Sequence, residues 1–170
     1  DFLQADLPVF GFRLRLGPGC HGRPQAGNVQ VQSTRPPAML TLDQLLAALQ
    51  PKLNPGVFVF AQVDRLSDAL QLDALAAFRE SEGVTVVVPE AQALRAGLAI
   101  GFRAAWITLQ VPSDLQAVGL TAAFSKALAD SGISCNVMAA VHHDHLFVPA
   151  DRGEDALACL QQLQSSVRGA

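Results

Sequence analysis

Four consecutive residues, His142-His143-Asp144-His145, concentrate more metal-ligating and proton-carrying side chains than any other stretch of this 170-residue chain. Imidazole nitrogens and a carboxylate can hold zinc or move protons, and His21 is the one further histidine that could join them. Adjacent residues in a short turn point in divergent directions, so alternation leaves only His143 and His145 on a common side. Two ligands on one element do not make a defined site. The stretch reads as a solvated turn or the rim of a cleft, and neither a metal nor any other cofactor is expected.

Other catalytic patterns are missing. There is no Gly-x-Ser-x-Gly elbow, no phosphate-binding loop and no cysteine beside a persuasive base. Cys20, Cys135 and Cys159 are an odd number without metal-type spacing, which argues for thiols in a reducing compartment rather than disulfides or a zinc site. Arg65, Arg79, Arg95 and Arg103 are dispersed and read as surface charges. A non-catalytic protein is expected. The formal charge of −3 lacks the basic excess that phosphate binding uses, and the excess of acidic residues grows when the first 38 are set aside. Phe58 and Phe60 share a strand face, but their neighbours are apolar, which assigns them to core or interface rather than to RNA stacking. No apolar run approaches the roughly 20 residues of a membrane span, and the start lacks a secretory signal. Nucleic acid and membrane are excluded as partners, and a soluble cytoplasmic chain is expected.

Residues 1–38 carry five of the 13 glycines and five of the 10 prolines and show no sustained period. They read as a disordered or non-native extension, either a flexible tail or sequence from outside the proper reading frame. After Met39 the pattern changes abruptly. Thr41-Leu42-Asp43-Gln44 has the form of a capping box, with Leu40 and Leu45 placed to staple it. A short helix then presents Leu42, Leu45, Leu46 and Leu49, and Pro51 stops it. Residues 57–63 and 84–88 read as buried strands, residues 74–80 as a brief helix, and residues 90–96 as a helix closed by Gly97. The half 39–101 thus reads α-β-α-β-α.

The second half, 102–170, is more sharply patterned. In residues 105–111, Ala105, Ile107, Leu109 and Val111 alternate with Trp106, Thr108 and Gln110, which predicts a strand with one apolar face. Leu120, Ala123, Phe124, Ala127 and Leu128 recur with helical spacing, and Gly132 ends that helix. Residues 134–141 read as a strand, the His-Asp turn as a hairpin, and Ala156, Leu157, Leu160, Leu163 and Val167 as the stripe of a closing helix. A β-α-β-β-α order with helices on one face of an antiparallel sheet is an α+β, ferredoxin-like arrangement.

At this point the residues resemble a known family. The run from Val118-Gly119-Leu120 through Gly132-Ile133-Ser134-Cys135-Asn136-Val137 is similar to the helix and second strand of an ACT domain. With His143-Asp144-His145-Leu146-Phe147-Val148-Pro149 and the opening at residues 40–60, the chain resembles small bacterial proteins of two tandem ACT-like modules. These share a plan with the CASTOR arginine-sensor modules and the regulatory end of aspartate kinases. The resemblance implies a paired, homodimeric, ligand-responsive protein that binds an amino acid or similar small molecule and acts on a separate regulated chain.

The candidate ligand-binding residues on that reading are Ser113, Asp114, Val118, Gly119, Leu120 and Asn136. Backbone N–H groups near a helix start attract a carboxylate, Asp114 can pair with an α-amino group, and Gly119 permits close approach. Asn136 on the neighbouring strand offers a donor and an acceptor. The same residues also have an ordinary structural use: Ser113 and Asp114 as caps, Gly119 as relief of crowding, Asn136 as a local hydrogen-bonding group. A pocket that has become a protein-interaction surface is the alternative expectation, and a metal-binding enzyme using the His142-His143-Asp144-His145 turn is the third.

Overall fold

The structure, a computed structural model, describes residues 40–111 and 117–169. In chain order the elements are α1 (Leu42–Ala47), β1 (Gln50–Leu53), β2 (Phe58–Val63), α2 (Leu66–Gln71), β3 (Ala76–Glu80), β4 (Gly83–Pro89), α3 (Glu90–Arg95), β5 (Ile100–Gln110), α4 (Leu120–Asp130), β6 (Asn136–Ala139), β7 (Asp144–Pro149) and α5 (Gly153–Arg168), with a 3₁₀ turn at Ala150–Arg152. The capping box forms as expected. The Gln44 N–H donates to Thr41 Oγ1 at 3.3 Å and the Thr41 N–H donates to Gln44 Oε1 at 2.9 Å.

All the strands pair antiparallel in one sheet of order β3-β4-β2-β5-β7-β6, with β1 joined to the later part of β5. Two ferredoxin-like modules are visible in this order. The run β2-α2-β3-β4-α3-β5 forms one, closed by the first residues of β5, which pair with β2 at Phe58–Ala61. The later residues of β5 open the other, β5-α4-β6-β7-α5. Its fourth strand comes from the beginning of the described chain: β1 lies against β5, with Leu53 opposite Ile107 and Gln50 opposite Gln110. The expected division at 101/102 therefore falls within a strand, and α1 and β1 pack with the second half.

Helices cover one face of the sheet. Under α1, α4 and α5 the core joins Leu45, Leu46 and Leu49 to Ile107, Leu109, Phe124, Leu128, Leu146 and Leu160. Under α2 and α3 a smaller core joins Val59, Ala61 and Val63 to Val84, Val86, Val88, Ala69 and Ala93. Burying each large side chain contributes about 1.5–3 kcal/mol, so these stripes hold helices too short to persist alone.

Residues 74–80 do not form the expected helix. Ala76–Glu80 is the strand β3, and the helix lies earlier, as α2. Asp73 at φ 47° ends α2, and the Ala74 N–H turns back to donate to the Ala69 carbonyl at 3.2 Å. Alanine, arginine and glutamate favour helix by only a few tenths of a kcal/mol per residue. Ladder pairing of Ala76 with Val87 and Ala77 with Val86, both valines fully buried, outweighs that preference. The His-Asp stretch also differs in detail: the turn covers residues 140–143, closed by the Ala140 N–H donating to the His143 carbonyl at 3.0 Å, while Asp144 and His145 already belong to β7.

Candidate functional site

The α4 start is built from a buried anchor and an exposed approach. Leu120 lies in the core and fixes the first turn, whereas Val118 just before it is 82% exposed. Between them Gly119 sits at the N-cap with φ 95° and ψ −20°, a left-handed conformation that a side chain disfavours. A Cβ there would also stand 3.2 Å from Leu42 Cδ2, so α1 approaches the loop closely. Gly119 has no side chain to accept from the first turn, and no side-chain cap serves α4 among the described residues. Its leading N–H groups keep their donor capacity and the positive end of the helix dipole. Ser113 and Asp114 lie outside the described residues.

Asn136 does not join this group. In β6 it stands opposite Phe147, which in turn stands opposite Trp106, on the sheet face away from the helices. The α4 start follows the far end of β5, beyond Leu109, whose partner Asp144 pairs with Ala139 at the other end of β6. The register thus separates Asn136 from Gly119 by both face and end.

The histidines disperse as well. His145 faces the open side of the sheet, where Trp106 Nε1–H donates to its Nδ1 at 3.1 Å and Thr108 Oγ1 lies 3.3 Å away. His143 stays in the turn with His142, its Nδ1 buried without a partner among the described residues. Burial pushes the Asp144 carboxyl above its ordinary pKa, opposed by the charges of His145 and His143. Burial likewise lowers His145, with His143 acting in the same direction and Asp144 opposing. Among the described residues no three His, Cys, Asp or Glu side chains are grouped to hold a metal ion. Desolvation raises the Cys135 thiol to about 11, and Cys159 Sγ donates to the Ala127 carbonyl at 3.3 Å. Both thiols are free, and Cys135 is kept protonated and weakly nucleophilic.

The sheet face away from the helices carries a third, largely aromatic cluster. Phe58 and Phe60, expected in core or interface, lie here with Phe102, Trp106 and Phe147. Edge-to-face contacts link Phe58 to Trp106 at 5.2 Å and Phe60 to Phe147 at 5.3 Å between ring centroids. The signal was present as alternation of Phe58 with Phe60 and of Phe102 with Trp106. The sheet curls about this face, and its edge strands β3 and β6 flank one groove.

One ACT-domain family model matches residues 37–105, and another matches residues 102–162. A protein of unknown function from Vibrio cholerae, described as a possible transport protein, is 44% identical with a TM-score of 0.67, and the match covers 72% of this chain and 95% of that one. The chain belongs to the ACT-domain family. The two ACT matches overlap at residues 102–105, inside the strand the modules share. A protein from Agrobacterium tumefaciens is similar in fold at 14% identity and a TM-score of 0.54, over 68% of this chain and 89% of its own. A putative C-terminal regulatory domain of aspartate kinase from Porphyromonas gingivalis is similar at 11% identity and a TM-score of 0.50, over 68% of this chain and 96% of its own. At such identities the likeness is one of fold. No curated protein matches the chain. No helix among the described residues of this ACT protein is long and apolar enough to cross a membrane.

Proposed function

We propose that this ACT protein is a non-catalytic regulatory module that binds an amino acid at the loop leading into α4. The observation that supports the reading is the α4 start itself: an eleven-residue helix opened by a left-handed Gly119, without a side-chain cap, beside the exposed Val118. A ligand carboxylate would take the N–H groups that a cap would otherwise satisfy. Ser113 and Asp114, immediately upstream, supply a hydroxyl and an anion for the α-amino group. Asn136 has no part in the proposal. Pairing of two copies, action on a separate regulated chain and work in a reducing cytoplasm complete it, the last supported by the free Cys135 and Cys159.

A thermal-shift screen of the full chain against the 20 amino acids, each at about 1 mM, tests the reading. A ligand at 100 times its dissociation constant stabilises the folded state by about 2.7 kcal/mol, enough for a shift of several degrees. One amino-acid class should raise the melting temperature, and Asp114→Ala should abolish the rise without altering the melt of the free protein. No shift with any amino acid would favour a protein-interaction module instead.

A further inference from the structure

The groove between β3 and β6 is independent of the α4 start and lies on the other side of the sheet. Its volume is about 570 Å³, and the lining is apolar: Leu75 and Phe78 from one edge, Met138 with Ala140 from the other, and Phe147 on the floor. Phe147 is 1% exposed, whereas Phe78 is 67% exposed and has no aromatic partner among the described residues. Phe78 is continuous with the apolar lining, and an exposed apolar patch of this contiguous kind, unlike a lone exposed residue, marks a binding surface.

His145 is the one ionisable residue among the lining side chains. Its tautomer is set from behind. Trp106 Nε1 can only donate, so His145 Nδ1 must accept, and the ring proton of the neutral imidazole is on Nε2. Asn54 stiffens this arrangement, with Nδ2 donating to Thr108 Oγ1 at 2.9 Å and to the Trp106 carbonyl at 3.3 Å. Nε2–H has no protein acceptor among the described residues. The groove therefore offers apolar walls and a single oriented side-chain donor.

We propose that this groove binds a planar aromatic small molecule carrying one hydrogen-bond acceptor, its ring against Phe78 and Met138 and its acceptor on His145 Nε2–H. The volume falls within the roughly 300–1,000 Å³ of small-molecule sites. The lining takes only residues 75–78 from one edge and 137–140 from the other, too short a track for an added peptide strand to gain much ladder pairing. Burial lowers the His145 pKa and so favours the neutral donor over a cation. The Trp106 N–H on Nδ1 also leaves no room for a second ring proton, so the geometry favours a neutral acceptor over a carboxylate.

Quinoline and naphthalene have nearly the same shape, and only quinoline carries an acceptor. Trp106 is the one tryptophan in the chain, so its indole N–H gives a single resonance in a nitrogen-15 spectrum, adjacent to the proposed contact. Titration of the full chain should move that resonance saturably with both probes, with quinoline bound roughly tenfold more tightly through the added hydrogen bond. His145→Phe should remove the preference while leaving naphthalene binding in place, as read by calorimetry, and Phe78→Ala should weaken both probes. The proposal is overturned if neither probe saturates, if the preference survives His145→Phe, or if Phe78→Ala changes nothing. A dimer that Phe78→Asp converts to monomer, with no probe bound by either form, would assign the groove to a second copy of the chain instead.

Discussion

Leu53 stands opposite Ile107 across β1 and β5, and through that pairing the opening of the described chain completes the sheet of the second module. A helix-strand segment that precedes the first module in sequence is thereby a structural part of the second. Leu49, between α1 and β1, is fully buried in the same core as Phe124 and Leu160.

Leu49→Ala should cost about 2–5 kcal/mol, the range for a large side chain removed from a packed core. Hydrogen exchange should show the lost protection in α4 and α5 rather than in α2 and α3. Selective loss in α2 and α3 would contradict the assignment of α1 to the second core.

The start of α5 lies so close to β5 that a Cβ on Gly153 would come within 2.8 Å of the Ala105 Cβ. Backbone freedom is not the issue here, since Gly153 has ordinary helical angles. Gly153→Ala should therefore destabilise by roughly 1–3 kcal/mol through overpacking. Adding Ala105→Gly should restore part of that loss, because the two changes share one contact. Additive losses in chemical denaturation of the double variant would show that the helix simply moves away.

Stability should depend on pH in two opposed windows. His145 has a lowered folded pKa, so between the ordinary imidazole value of about 6.5 and the folded value the unfolded chain takes up a proton that the folded chain refuses. Stability falls as pH drops through that window. Asp144 has a raised folded pKa, so stability falls as pH rises from the ordinary carboxyl value of about 3.9 through the folded one. The urea midpoint should fall on going from about pH 7 to about pH 5.5 for the parent chain and fall less for His145→Phe. Equal drops in the two proteins would remove His145 as the source.

Where one face of an element is apolar, the sequence was readable. The stripe of Leu120, Phe124 and Leu128 and the alternation of Ala105, Ile107 and Leu109 are periodic, and all six side chains are buried as that period requires. β1 was not readable, because Gln50-Pro51-Lys52-Leu53 is too short for a period and holds a proline; its partner β5 supplies the missing definition. The first residues of β5 were obscured by Arg103, which faces the helix side opposite Val59 and is accommodated there by Glu90, with Nε donating to Oε1 at 2.5 Å. That contact also holds the Glu90 carboxyl below its ordinary pKa, chiefly through the Arg103 hydrogen bond. The same reason governs where the candidate residues lie. Gly119 follows from local helix geometry, but the separation of Asn136 from it, and the meeting of β3 with β6 around a groove, depend on pairings between distant strands.

β5 carries a mechanical consequence. Side chains on a strand alternate between faces, so sliding it by one residue against its neighbours would turn its entire buried set outward. In this chain one such strand carries the pairings of both modules, to β2 at one end and to β1 and β7 at the other. Beyond the register shift at Phe60/Ala61, a displacement along its axis begun at either module loads the ladders of both. The two halves are geared to one rod, and strain applied to one is delivered to the other without an intervening hinge.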